Sequence, residues 1–535
     1  MLINFKAKFE ESLLLNLELS IAVGVVAAVT ILVINKYFGK SISDNKEIIS
    51  GYDYVKAKVL KKTIKDKSDI TLAEIPYPKF AEMRHTLLTG TTGAGKTNAI
   101  IELIDQVKAK GERLIIVDTV GTFVEKYYQD GDIILNPLDS RSVSWSFLSE
   151  CNNEILLKNI AACLIGRSDI HDKFWEDAAQ IVFVETAKKV IRENKSTQEF
   201  IDLLLKVSLE EIQMYLKGTY GYSLMDKRAD KMAISIRATL INAVSVFDIL
   251  KESKSDNFSI RDWVLTTHAI TLADSTSALK THPAYPSEDG EAINASAAST
   301  TMFLSCKPAE RTALTPLITA WLSIASEALL QTNPTDKRTW FFIDELHNLK
   351  RLPKIETSLA EVRKFGGCFV IGTQMVSQLN AIYGHETAHT ITGLCGTKVV
   401  MNVPEPETAK YMSGFLGEKE EISTMESISY GANTVRDGVN IAQQTHKKSS
   451  VPFNEIMNLK TGEAFIKFAG IDLVTKTKFK LVSATWAFTH ADSTSTSQTH
   501  LAYLSEGSKA ESASGATTSE NDLLFYGIPL NDEIT

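Results

Sequence analysis

The chain has 535 residues, more than a single hydrophobic core organises, so it divides into two or three domains. Hydrophobic residues make up 44% and charged residues 23%, which excludes a wholly disordered chain, a collagen-like repeat and a polytopic transporter. The net charge of −8 sits mainly in residues 266–301 and 483–535 and leaves the remainder near neutral, so it does not exclude an anionic partner.

At the N-terminus, Leu19–Ile34 is an uncharged apolar run between Glu18 and Asn35-Lys36. Counted from Leu13 to Ile34, it meets the roughly 20 residues that cross a bilayer, with Glu18 near the interface. Residues 1–40 are therefore read as a membrane anchor with one helix over about 13–34. A buried core helix and a cleaved signal are the alternatives, although no small-x-small cleavage site follows the run. Lys36, Lys40 and Lys46 after the span, against Lys6 and Lys8 before it, favour a cytoplasmic C-terminal side.

A short strand over Thr86–Thr89 runs into Gly90-Thr91-Thr92-Gly93-Ala94-Gly95-Lys96-Thr97. This is a phosphate loop, GxxxxGK[ST] with an extra central glycine. Its amides can wrap phosphate oxygens, Lys96 can reach the β and γ phosphates, and the Thr97 hydroxyl can ligate Mg²⁺. An amphipathic helix must follow, and Ile100, Leu103, Ile104 and Val107 supply its face before Gly111 stops it. The pattern points to ATP and Mg²⁺ as ligands. The next strand, Leu114–Val117, ends in Asp118, which either joins the site or starts a turn. Together these form a βαβ unit of a parallel sheet.

From 146 to 263 the pattern is helical. Phe174, Trp175, Ala178, Ile181 and Val182 share one predicted face, and Phe200, Leu204 and Val207 another. Asp226 and Asp230 flank Lys227-Arg228, so no continuous basic patch forms. Lys231 and Arg237 are either DNA-facing or solvated.

Met302–Ser305 reads as a strand. Trp340–Ile343 is a fully buried strand that ends in Asp344-Glu345. There Asp344 would hold Mg²⁺ through water and Glu345 would be the general base. Cys368–Ile371 is another buried strand, ending in Gly372-Thr373-Gln374, with Gln374 placed to sense the γ phosphate. The five cysteines, Cys151, Cys163, Cys306, Cys368 and Cys395, form no CxxC pair and read as inert core thiols.

Residues 273–300 and 491–518 repeat each other at a constant offset of 218, with 16 of 28 positions identical. Both copies are rich in Ser, Thr and Ala. Segments 264–301 and 483–535 are read as a repeat-like insertion and an acidic tail, exposed and disordered. They leave 41–145 and 302–482 as two parts of one α/β motor domain, with the all-α domain 146–263 inserted between them.

The segments RHTLLTGTTGAGKT, ILNPLDSRSVSW at 134–145, FFIDELHNLKRLP at 341–353, EVRKFGGCFVIGTQ at 361–374 and SYGANTVRDGV at 429–439 resemble the TraD-type, F-like coupling proteins of conjugative type IV secretion systems. The resemblance covers roughly 36–262 and 302–482. It implies a RecA-like P-loop NTPase domain with an inserted all-α domain, held in the bacterial inner membrane with its motor in the cytoplasm. It further implies a homohexameric ATPase, with DNA-stimulated hydrolysis, that brings relaxosome proteins to the secretion channel and moves single-stranded DNA. Arg84 and Arg363 match the family's arginine fingers, which complete a neighbouring subunit's site. An ATP-dependent receptor for exported proteins and a degenerate, inactive relative are the alternatives. Three departures accompany the match. One span fits before the phosphate loop where the family has two helices and a small periplasmic domain. Thr122 stands where the family often has an acid. The repeat segments interrupt the match and replace its tail, which leaves channel docking open.

Overall fold

The computed structural model describes residues 30, 47–51, 53–150, 154–166, 173–250, 258–269, 301–334, 337–349, 351–429 and 438–481. All of the anchor expected at 13–34 except residue 30, and the bulk of both repeat segments, lie outside the described residues. Fifteen strands occur among those described. In chain order the first seven are β1 (Glu47–Gly51), β2 (Asp53–Lys56), β3 (Lys67–Leu72), β4 (Ile75–Pro78), β5 (Thr86–Thr89), β6 (Arg113–Asp118) and β7 (Ile133–Leu135). Then come β8 (Thr301–Ser305), β9 (Thr339–Ile343), β10 (Gly367–Thr373) and β11 (Thr397–Val400). The last four are β12 (Glu418–Ser429), β13 (Gly438–Ser449), β14 (Glu463–Lys467) and β15 (Leu473–Lys478).

The main sheet has ten strands in the order β2-β15-β14-β11-β5-β10-β9-β6-β8-β7. From β11 to β7 every pairing is parallel. The run is buried on both faces, as continuous apolar strands such as Thr339–Ile343 require. The period of two sorts each strand's side chains. Leu88, Leu114, Ile116, Trp340, Phe342, Cys368 and Val370 face the core shared with the helix Lys96–Ala109. Leu87, Ile115, Val117, Phe341, Ile343, Phe369 and Ile371 face the opposite core, with Leu317 and Trp321 of the helix Arg311–Leu329. This is a mixed α/β fold around a large parallel sheet, with the phosphate-loop strand one strand away from the acid-tipped β9, the RecA-like order.

Every described element from Phe147 to Ala269 is helical. Phe147, Phe183, Phe200 and Phe247 pack together there, with ring centroids 4.8 Å apart for Phe147 and Phe200 and 5.0 Å for Phe147 and Phe247. Where the chain enters and leaves this unit, Trp145 bridges Phe258. The buried Glu150 accepts hydrogen bonds from the Trp145 indole at 2.9 Å and the Ile260 amide at 2.6 Å. Burial raises its pKa, and these donors oppose the rise.

Three expectations are corrected here. Phe174 and Ile181 are 57% and 42% exposed, because the helix Lys173–Arg192 turns Ala178, Ala179, Val182 and Phe183 inward instead. Residues 264–269, assigned to the insertion, continue the helix Ile260–Ala269. That helix meets the sheet where Arg113 donates to the Val264 carbonyl at 2.7 Å and stacks on Trp263. Arg237 is half-buried and donates to the Val207 carbonyl, a packing role that leaves Lys231 the exposed cation of that helix. The helix Arg311–Leu329 is long and apolar enough to cross a membrane, but it is mostly buried within the core.

Candidate nucleotide site

The phosphate loop leaves β5 between the ends of β10 and β11, and both neighbours hold it. The Gly90 amide donates to the Thr373 carbonyl at 3.2 Å, and the Thr91 amide to the Asn402 carbonyl at 2.8 Å. Asn402 is fixed in turn by donating to the carbonyls of Met457 and Leu459, each at 2.8 Å. The Gly462 amide donates to the Ala94 carbonyl at 2.8 Å. Gly95 has a φ of 114°, and a Cβ there would lie 3.3 Å from the Gly462 Cα, so only glycine suits the position. A Cβ on Gly93 would meet nothing within 4 Å, so the tip of the loop is open.

Lys96 opens the helix that follows. Its ammonium donates to its own loop, at 2.7 Å to the Gly90 carbonyl and 3.4 Å to the Thr91 carbonyl. Burial lowers its pKa, and the charges of Asp344 and Glu345 oppose that. Thr97 donates its hydroxyl proton to Asp344 Oδ2 at 3.0 Å. Burial pushes the Asp344 carboxyl up to about 6, against the opposing pull of Lys96 and Thr97. Its other oxygen, Oδ1, is shut off from solvent with no hydrogen-bond partner among the described residues. A buried carboxylate with one spare oxygen beside a threonine hydroxyl is the donor set of a hydrated Mg²⁺. The residues present therefore fit that ion.

Glu345 is held on both oxygens. Asn348 donates to Oε2 at 2.6 Å, and Gln374, from the tip of β10, donates to Oε1. His347 lies 3.8 Å from Oε2, and burial lowers its pKa. β10 presses against β9 so closely that a Cβ on Gly372 would fall 1.8 Å from the Asp344 carbonyl oxygen. That contact brings Gln374 onto Glu345. The structure thus brings together Gly90 to Thr97, Asp344, Glu345 and Gln374. Asn348 and Asn402 escaped the sequence reading. Asn348 shares the tight turn after Glu345, and Asn402 follows the strand beside the loop, so position relative to the strand tips was the available signal.

Asp118 resolves as the turn residue. It is buried and accepts backbone amides from Val120, Gly121, Phe123 and Val124, at 2.7–3.2 Å. That leaves its carboxylate fully occupied with starting the helix Thr122–Tyr127. Arg84 and Arg363 lie elsewhere. Arg84 precedes β5 and Arg363 precedes β10, so both stand at the sheet edge opposite the phosphate loop. At about 3.3 Å per residue the four residues of β5 alone separate Arg84 from the loop by roughly 13 Å. Both side chains are exposed, and neither forms an ion pair among the described residues. The segments that bear them are neighbours because β5 and β10 pair, while the Arg84 side chain runs toward the turn between β14 and β15, where a Cβ on Gly470 would lie 3.3 Å from its Nη1. The described cysteines, Cys163, Cys306, Cys368 and Cys395, are buried, free and raised in pKa by that burial.

Comparison with known proteins places this geometry. The model of the type IV secretion-system coupling protein DNA-binding domain matches residues 69–279 and 290–480, with a gap inside the first repeat segment. Coupling protein TraD of Escherichia coli (strain K12) is 32% identical over 437 residues, which are 81% of this chain and 56% of TraD. The chain thus spans about half the length of that curated relative. The conjugative coupling protein TrwBΔN70 in its unbound monoclinic form superposes with a TM-score of 0.68 at 27% identity, covering 82% of this chain and 94% of that one. TrwB in complex with the ATP analogue ADPNP, and TrwB with ADP and Mg²⁺, each match with a TM-score of 0.67 at 27% identity. Each of these two covers 82% of this chain and 95% of that one.

Proposed function

Since the chain belongs to the type IV secretion-system coupling proteins, we propose that it is an ATPase of the bacterial inner membrane that couples relaxosome proteins and their DNA to the secretion channel. In this reading it hydrolyses ATP to move single-stranded DNA. The observation that carries the proposal is the convergence of Lys96, Thr97, Asp344, Glu345 and Gln374 on one end of the sheet. TrwB, the similar solved protein, holds ADPNP in one structure and ADP with Mg²⁺ in another, which supports ATP and Mg²⁺ as the ligands here.

The loop amides of Gly90 to Thr97 receive the phosphates, with the dipole of the helix Lys96–Ala109 adding positive potential. Lys96 exchanges its bonds to the loop carbonyls for phosphate oxygens. Thr97 and, through water, Asp344 would hold Mg²⁺, which would neutralise phosphate charge when bound. Glu345 accepts the proton of the attacking water, oriented by Asn348 and Gln374. Gln374 touches both the base and the space facing the loop, so it reports the state of the terminal phosphate. Arg84 and Arg363 face outward to complete a neighbour's site, which calls for a ring, a homohexamer by the family pattern. The all-α unit, which runs to Ala269, caps that ring, and the anchor at 13–34 holds it to the membrane.

Two results test this reading. ATP turnover by the full chain is expected to rise on adding single-stranded DNA, and the stimulation to weaken steeply with salt, because phosphate contacts release counterions. Turnover indifferent to DNA would favour a receptor for exported proteins. Acidification supplies the second. Asp344 titrates at about 6, so it is ionised above that pH and neutral below it. The Mg²⁺ concentration for half-maximal turnover should hold steady above pH 6 and rise roughly tenfold per unit below it. A flat Mg²⁺ requirement down to pH 5 would remove Asp344 from the metal site.

A further inference from the structure

His85 links Arg84 to β5, and its backbone is at φ 59° and ψ 156°. Residues other than glycine avoid this region because it is strained. The imidazole is 1% exposed. Burial holds its pKa down at about 4, so the ring is neutral near neutral pH. A glycine would remove the strain. The ring is nonetheless used in full. The Phe369 amide donates to Nδ1 at 3.1 Å, and Nε2 lies 2.6 Å from the Leu359 carbonyl. A backbone amide can only donate, so Nδ1 is the acceptor and the ring hydrogen sits on Nε2, pointing at that carbonyl. Phe369 belongs to β10, and its ring meets the imidazole edge-on at 5.6 Å. Leu359 belongs to the helix Ile355–Val362, which runs directly into Arg363. One side chain therefore joins three segments: the turn bearing Arg84, the helix delivering Arg363, and the strand whose far end carries Gln374.

We propose that His85 is a positioning residue that fixes the segments bearing Arg84 and Arg363 relative to each other, so that both arginines keep their aim toward the neighbouring subunit's nucleotide. The inference rests on the reading of those arginines as acting in trans. The arginine side chains are long and exposed, so their aim depends on the backbone beneath them. Without the imidazole, the turn and the helix are no longer tied to each other through hydrogen bonds. A misplacement of about 1 Å in a catalytic group can cost on the order of 10²-fold in rate.

The test uses the full chain with ATP, Mg²⁺ and single-stranded DNA. His85→Gly keeps the backbone comfortable and deletes the ring. We expect kcat to fall about 10- to 100-fold, with the KM for ATP within about twofold, because the subunit's own loop is untouched. Added imidazole should refill the cavity and restore part of the rate. In an Arg84→Ala/Arg363→Ala background the same change should alter kcat less than about twofold, since the groups it positions are gone. An unchanged kcat in His85→Gly, while the arginine variants are impaired, would overturn the proposal and leave the trans reading standing. So would an undiminished loss in the arginine-free background. Full turnover in the arginine variants themselves would remove both. If His85→Gly does not fold, His85→Asn answers to the same criteria. Asparagine tolerates positive φ, and its side-chain oxygen can take the Phe369 amide.

Discussion

Arg363→Ala is expected to lower ATP turnover by about 10³- to 10⁵-fold, the range over which arginine fingers act. Within one subunit this effect has no explanation, because Arg363 stands before β10 and the loop stands beyond its far end. Arg84, which precedes the neighbouring strand β5, is expected to act in the same direction. An arginine brought against the transferring phosphoryl neutralises developing charge in a site from which water is excluded, where a guanidinium has its greatest effect. Nucleotide binding should be largely kept, since the loop, Lys96 and Thr97 are intact. Mixing gives the sharpest reading. Arg363→Ala lacks the arginine but keeps the loop, while Lys96→Ala lacks the loop lysine but keeps the arginine. In the proposed ring, assemblies of both proteins would contain some complete interfaces and should regain part of the turnover. Mixed rings with no recovery would show that Arg363 serves no neighbour.

Glu345→Gln is the second large effect. The amide keeps the shape of the carboxylate, and its oxygen can still accept from Asn348 or Gln374. It cannot accept the water proton. General-base catalysis contributes about 10²- to 10⁴-fold, so kcat should fall by that factor. ATP should still bind, because Lys96 and the loop amides do not change, and the variant should accumulate with ATP unhydrolysed. Single-turnover measurement separates the two steps. Normal turnover in this variant would take the base assignment away from Glu345, with His347, 3.8 Å from its carboxylate, then the next candidate.

The central strands were legible because a strand buried on both faces must be a short run of apolar residues, and Trp340–Ile343 or Cys368–Ile371 can hardly be anything else. The phosphate loop, Asp344, Glu345 and Gln374 were legible because chemistry in a parallel sheet gathers at the strand ends. What chain position cannot convey is which groups are already spent. Asp118 stands at a strand tip like Asp344, but four amides occupy it. Phe174 and Ile181 lie at the right helical spacing for a core, but the smaller Ala178 and Ala179 mark the close-packed side. His85 gave no signal at all, since a lone histidine beside an arginine reads as solvated. Its partners are 274 and 284 residues away. The placement of the two arginines came from the family resemblance and not from any local pattern.

The strand order also sets a timetable. β5 is flanked by β10 and β11, and the loop it carries is closed by Gly462. A ribosome adding about 5–20 residues per second needs roughly 14–55 s to go from Lys96 to the end of β10. For that interval the buried residues Thr86–Thr89 have no sheet neighbour, and an unpaired apolar strand invites foreign ones. The inserted helices, whose contacts are mostly local, can meanwhile fold on their own. A nascent chain stalled near residue 400 would thus present a formed helical unit beside an unfinished nucleotide site. Such a chain would depend on a chaperone until Gly462 emerged.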